Sequence, residues 1–283
     1  MTKKYHGIIV PAITPLADPE TIDLPAVKPL FDFMIAGGIH GIFILGSTGE
    51  GPALKLSEQK KLITESVKAI AGRVKLLVGI SGASGAETLE MGDFAIQAGA
   101  DAVVAALPCY IPATSEEEII NYYTVLGQRF PDKVFIYNMP ALTKINIQPE
   151  LAVKLLSLPG ITGYKDSAGD FDNLVTVIKS AKHLGRAIFV GPEHLTGPAM
   201  LAGADGGVNG GANVKPEMFA DIVKAVDEQD MELYERTKKA IDDFQPLYGT
   251  PCTCPSVIRS LKRELSRMGM IRNITAFPNL PLK

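Results

Sequence analysis

The residue of this chain with the most chemistry in it is a lysine at the end of an apolar run. Lys165 lies in ITGYKDS (161–167), between apolar residues and a turn. A lysine among apolar neighbours is costly unless it is paired or neutral, and desolvation favours the neutral amine, a nucleophile towards carbonyls. The same placement also suits a lysine paired with Asp166 or another nearby carboxylate. Tyr137 closes the preceding apolar run, KVFIYNMP (133–140). A phenol there can relay a proton, or can cap a core with its hydroxyl in water. A third feature is the segment Gly46-Ser47-Thr48-Gly49-Glu50-Gly51. Its glycines permit a sharp turn that offers N–H groups to an anion, and its hydroxyls add donors.

That turn lacks the Lys-Ser/Thr pair of a phosphate-binding loop and the spacing of the dinucleotide fingerprint, so no nucleotide cofactor is expected. The four histidines, His6, His40, His183 and His194, show no paired spacing, and no metal site is expected.

These residues need elements that bring them together. Eight short apolar runs recur along the chain, at 7–13, 41–46, 75–81, 101–108, 133–140, 161–167, 187–192 and 205–210. Most are continuously apolar, the signature of strands buried on both faces of a parallel sheet. The last is rich in glycine. Between them lie segments of helical periodicity. In 57–71, Leu62, Ile63, Val67 and Ile70 share a face. Ser84–Glu87 and Ser115–Glu118 fit capping boxes. Residues 148–158 carry a proline, Pro149, in the first turn, and 171–184 close at Gly185.

The alternation predicts an α/β fold: an eight-stranded parallel (β/α)8 TIM barrel over 1–227, with a C-terminal helical extension of the same domain over 228–283. In such a barrel chemistry sits at the C-terminal ends of the strands. The polar residues predicted there are Thr14, Ser47, Thr48, Glu50, Tyr110, Tyr137, Asn138, Lys165, Asp166, Ser167, Glu193, His194 and Asn209.

Composition narrows the classes of function. The 283 residues are 46% hydrophobic and 21% charged, ordinary for a globular protein. Twenty-eight basic residues against 31 acidic ones leave a net charge of −3, and no basic footprint for nucleic acid. Three cysteines, Cys109, Cys252 and Cys254, are too few for a disulfide framework and point to a reducing compartment. The opening MTKKYHGIIVPAITPL is interrupted by Pro11 and Pro15 and does not read as a signal peptide. No run approaches a membrane span. A cytoplasmic protein with no membrane partner is expected.

Taken together, the motifs resemble one superfamily. G46-S-T-G-E50 after the second strand, Y137-N-M-P140 at the fifth and G163-Y-K-D-S167 at the sixth have the order and spacing of the N-acetylneuraminate lyase / dihydrodipicolinate synthase superfamily. P11-A-I-T-P15, P108-C-Y110 and A202-G-A-D-G-G207 agree, so the resemblance spans nearly the whole chain. It implies class I aldolase chemistry on a 2-oxo acid without a cofactor. Lys165 then matches the lysine that forms a Schiff base with pyruvate. Tyr137 matches the proton-relaying tyrosine, and Ser47 and Thr48 match the pair that grips the carboxylate. Tyr110 matches a tyrosine that in relatives reaches across a subunit interface. This implies a homo-oligomer, a tetramer built as a dimer of dimers.

Departures bear on the substrate. Dihydrodipicolinate synthases carry an arginine two residues after the proline of the tyrosine motif, where this chain has Leu142. Ser167 stands where aldolases of polyhydroxylated chains carry a hydroxyl residue. Both point to a 2-keto-3-deoxy sugar acid, with 4-hydroxy-tetrahydrodipicolinate synthase or a Schiff-base dehydratase as the alternative. The chain also departs from sialic acid lyases. Gly191 is followed by Pro192-Glu193-His194 rather than an aromatic-Asp-Glu run, Gly210 and Gly211 replace Ser and Thr, and Lys144 replaces a glycine. Glu193 and Asn209 are expected at the mouth, bonding substrate hydroxyls.

Overall fold

The computed structural model describes residues 4–282; residues 1–3 and 283, the outer ends of the two predicted segments, lie outside it. Eight parallel strands close a barrel: β1 (Gly7–Pro11), β2 (Gly41–Ile44), β3 (Lys75–Gly79), β4 (Ala102–Ala106), β5 (Val134–Asn138), β6 (Ile161–Asp166), β7 (Ala187–Val190) and β8 (Gly206–Val208). Each pairs with its sequence neighbours, and β8 returns to β1. The fold is the predicted (β/α)8 barrel. Each predicted run contains one strand, and the glycine-rich one keeps only three strand residues.

Helices follow the strands: α1 (Leu24–Ala36), α2 (Leu56–Ile70), α3 (Gly85–Ala98), α4 (Glu116–Arg129), α5 (Pro140–Thr143), α6 (Pro149–Leu156), α7 (Phe171–Ala181), α8 (Thr196–Leu201) and α9 (Pro216–Asp227). Then come α10 (Met231–Phe244) and α11 (Cys254–Arg267). The Ser115–Glu118 capping box is complete. The one predicted at Ser84 is half-formed. Ser84 Oγ accepts from Glu87 N, but the Glu87 carboxylate reaches one residue too far and takes the N–H of Ala83. Sequence periodicity gives no sign of the antiparallel hairpin Leu16–Asp18/Thr21–Ile22, the one-turn α5, or the 3₁₀ turns at Glu193–Leu195 and Gly210–Asn213. All are too short to show a period. No helix among the described residues is long and apolar enough to cross a membrane.

Strand alternation divides the core in two. Ile9, Phe43, Leu77, Val104, Phe135 and Phe189 point inward and fill the barrel. Ile8, Val10, Ile42, Ile44, Ile136, Ile188 and Val190 point outward and pack under the helices. Burying each large aliphatic side chain contributes about 1.5–3 kcal/mol. The interior is a plug: about 10 Å³ remains open among these inward residues, directly beneath Lys165. Chemistry is therefore confined to the mouth.

Candidate active site

Lys165 is the last inward residue of β6. Parallel register sets it beside Tyr137 of β5 and Phe189 of β7. Its amine stands 3.9 Å from the centroid of the Tyr137 ring and 5.1 Å from that of Phe43. The residue is 7% exposed. Between the two readings of this lysine, pairing with Asp166 does not form, because neighbouring strand residues face opposite sides. Asp166 points outward, where Oδ2 accepts from Asn138 Nδ2 and Tyr164 Oη, both at 2.9 Å, and Oδ1 accepts from Ala168 N at 3.0 Å. Burial pushes the Asp166 carboxyl above its ordinary value, against these hydrogen bonds. Asn138 continues the network by accepting from Ile147 N at 3.1 Å. This polar layer behind β5 and β6 fixes the two strand ends that carry Tyr137 and Lys165.

A cavity of about 450 Å³ opens at the strand ends between β2 and β5. Phe43 and Tyr137, the two rings beside the lysine amine, also belong to its wall, while Lys165 itself borders the small void of the barrel interior. Ser47, Tyr110 and Leu142 line it as well. Thr48 is half-buried beside Ser47. Among the described residues nothing accepts a hydrogen bond from the N–H groups of Ser47 and Thr48. The turn thus carries two backbone donors as well as two hydroxyls, a set suited to a carboxylate.

The turn has little freedom. Leu45 and Glu50 adopt left-handed backbone at φ 58° and 55°. Thr14 Oγ1 donates to Gly49 O at 2.6 Å. A Cβ on Gly51 would stand 2.1 Å from Leu45 O, so only glycine permits that approach.

Tyr110 stands on the loop after β4 at the cavity rim. It is 86% exposed and its neighbour Ile111 is 79% exposed. Leu142, on α5, is 43% exposed. Lys144, just beyond, donates to Ala141 O at 2.8 Å and so closes its own helix. Ser167 follows Lys165 on the same inward parity, and its Oγ rests against Gly191, where a Cβ would lie 2.1 Å away.

Of the predicted site residues Ser47, Tyr110 and Tyr137 line the cavity, Lys165, Thr48 and Ser167 lie next to lining residues or strand ends, and Glu193 and Asn209 are engaged elsewhere. Glu193 is buried beneath the C-terminal segment. Its Oε1 accepts from Gly211 N at 2.6 Å and from Tyr248 Oη at 2.8 Å, and its Oε2 accepts from Gln245 Nε2 at 2.8 Å. Burial pushes this carboxyl up, against the pull of those donors. Its oxygens are committed to holding the 3₁₀ turn against residues 245–248. Asn209 follows Val208, which points inward, and so faces outward. Its Oδ1 accepts from Thr196 Oγ1 at 3.1 Å and its Nδ2 donates to Gly191 O at 3.3 Å. It joins β8 to the end of β7.

Other residues of the mouth escaped the sequence reading. Ser81 falls inside the predicted run 75–81, but the strand ends at Gly79 and leaves Ser81 on the cavity wall, where its Oγ accepts from Ala106 N at 2.8 Å. Lys262 is buried in α11 and pairs with Glu50. The signal for it was available, since Ile258, Leu261 and Leu265 mark that helix face as apolar.

Comparison with known proteins places the chain. The family model described as the dihydrodipicolinate synthetase family matches residues 4–283. The chain is 34% identical to a dihydrodipicolinate synthase from Bacteroides thetaiotaomicron, with a TM-score of 0.93, covering 100% of this chain and 95% of that one. It is 28% identical to a prophage protein of the dihydrodipicolinic acid synthase family from E. coli K12, solved in complex with pyruvate, with a TM-score of 0.92 over 99% of this chain and 94% of that one. It is 30% identical over 280 residues to the 4-hydroxy-tetrahydrodipicolinate synthase of Methylibium petroleiphilum, covering 99% of this chain and 94% of the relative. The chain belongs to the dihydrodipicolinate synthetase family of the N-acetylneuraminate lyase superfamily, and with it to the Schiff-base-forming carbon–carbon lyases.

Proposed function

We propose that Lys165 carries the Schiff base, and that the chain acts as an aldolase on a 2-oxo acid whose far end is uncharged, by class a 2-keto-3-deoxy sugar acid. The observation that carries the chemistry is the buried Lys165 amine, 3.9 Å from the centroid of the Tyr137 ring that also walls the cavity. The amine adds to the C2 carbonyl and water leaves, giving an iminium. In the cleavage direction the C4 hydroxyl gives up its proton. The C3–C4 electron pair then passes into the iminium, an aldehyde departs and an enamine remains. Protonation at C3 and hydrolysis release pyruvate and restore the amine. Tyr137 relays the protons, Tyr110 stands at the rim, and Ser47 and Thr48 hold the C1 carboxylate.

The cavity wall supports an uncharged partner. Among the described residues it contains no Lys or Arg, and Leu142 stands where a guanidinium would hold a second carboxylate. With Glu193 and Asn209 engaged elsewhere, Ser167 is the predicted hydroxyl contact that remains. A second reading, 4-hydroxy-tetrahydrodipicolinate synthase, is favoured by the name shared by the curated relatives. The deciding measurement is kcat/KM on one preparation, for pyruvate release from a panel of 2-keto-3-deoxy acids and for condensation of pyruvate with aspartate semialdehyde. Faster cleavage supports the aldolase. Faster condensation establishes the synthase, and Leu142 then does not report specificity.

The exposed Tyr110 and Ile111 support a homo-oligomer, a tetramer as a dimer of dimers, in which a second copy covers this rim. Light scattering reads it directly: a monomer at micromolar concentration contradicts it. Three free cysteines support the cytoplasm as its compartment. The Glu193–Tyr248 and Glu50–Lys262 contacts support treating 228–283 as an extension of the barrel domain.

A further inference from the structure

The turn that presents Ser47 and Thr48 is anchored to the far end of the chain by a buried charge pair. Glu50 Oε1 pairs with the Lys262 ammonium, and both side chains are almost wholly buried, at 2% and 0% exposed. Glu50 Oε2 accepts from Ala276 N at 2.8 Å, and Lys262 Nζ also donates to Ile274 O at 2.7 Å. Four groups from the turn, α11 and residues 274–276 thus close one polar knot. Burial pushes the Lys262 amine down, and Glu50 opposes that shift.

Stability alone is a weak reason for such a pair. Two charges removed from water recover little beyond what apolar residues of the same volume would give. The knot does, however, coincide with local backbone strain. Glu50 is one of two left-handed non-glycine residues that flank the Ser47–Thr48 donors. The same turn is held by Thr14, on the loop after β1, and from α2 by Gln59, whose Nε2 donates to Gly51 O at 3.0 Å. Glu50 supplies the third side. Left-handed backbone at a non-glycine residue persists where its surroundings over-determine it.

We propose that Glu50 and Lys262 are positioning residues for the substrate carboxylate, and that residues 254–276 belong functionally to the active site by holding the Ser47–Thr48 turn in its donor geometry. The inference rests on the reading of Ser47 and Thr48 as the carboxylate grip. It predicts weaker capture of the 2-oxo acid with an intact amine, a split that a purely structural pair would not produce.

The test is borohydride trapping of pyruvate on Lys165 as a function of pyruvate concentration, in the wild type, in Glu50→Gln and in the volume-conserving double variant Glu50→Gln/Lys262→Met. The half-saturating pyruvate concentration should rise by about tenfold or more in the double variant, the scale of one lost charge-assisted hydrogen bond. The trapping rate at saturation should stay near the wild-type value, with Lys165 still the modified residue. Glu50→Gln leaves the Lys262 ammonium without its carboxylate and sets an amide N–H against one of the two donors, so it should shift the same quantity at least as far; if one variant does not fold, the other decides alone. Unchanged half-saturation with a lowered melting temperature overturns the proposal. A wild type that forms no adduct overturns the Schiff-base reading, and this proposal with it.

Discussion

The two sides of the barrel mouth carry similar residues and put them to different use. At β5 and β6, Tyr137 and Lys165 share the inward parity and one register pair, so their side chains meet over the plug. At β7 and β8, Asn209 follows the inward Val208 and turns away, and Glu193 lies beyond its strand in a 3₁₀ turn. Both sides offer polar groups at strand ends. On the first side the outward neighbours, Asn138 and Asp166, form a network that stiffens the strands behind the inward pair. On the second side Glu193 ties the C-terminal segment down and Asn209 bonds Thr196 and Gly191. Closeness to a strand end selects candidates, and parity decides which of them face substrate.

Substitutions on the two sides should therefore fail in different ways. Lys165→Ala should keep its fold and lose turnover by many powers of ten, because the covalent route disappears. Circular dichroism with a turnover assay checks both, and an active variant would move the chemistry elsewhere. Glu193→Ala should do the reverse. It strands the donors of Gly211, Gln245 and Tyr248, at a cost of roughly 3 kcal/mol in stability, while the folded fraction still traps pyruvate on Lys165. Loss of trapping with stability intact would return Glu193 to the site.

Smaller effects sharpen the contrast. Ser167→Ala should raise the barrier for a hydroxylated substrate by about 1–2 kcal/mol, the scale of one hydrogen bond, read as kcat/KM. A silent substitution would remove Ser167 from the substrate's surroundings. The smallest effect is one of pH. Burial raises the Glu193 carboxyl above its unfolded value, so the group favours folding most while protonated. Relative to Glu193→Gln, the wild type should lose stability as pH rises from about 4.3, the ordinary glutamate value, through the raised native value. Chemical denaturation across that range should give diverging midpoints; parallel curves would contradict the assigned shift.

Much of this molecule can be read from its sequence, for identifiable reasons. Buried parallel strands are apolar without alternation, so all eight stand out, even the glycine-rich Gly206–Val208. Lys165 and Tyr137 are legible because a polar group closing an apolar run is rare. The sequence puts Asn209 at the mouth, whereas its parity turns it outward: Gly206 to Val208 is short enough that the inward phase is fixed by a single valine. The engagement of Glu193 is not legible in the sequence because its partners, Gln245 and Tyr248, lie more than 50 residues away. The apolar face of α11 makes the burial of Lys262 legible, but not its pairing with Glu50, since only the closed barrel brings α11 and Ala276 to the turn.

The central claim is that the Lys165 amine is the nucleophile. Borohydride reduction of the intact protein in the presence of pyruvate, followed by peptide mass analysis, tests it most directly. A reduced pyruvate adduct on the peptide containing Lys165, absent from Lys165→Ala, is the expected result. No adduct on the wild type, or an adduct on a different lysine, would contradict it.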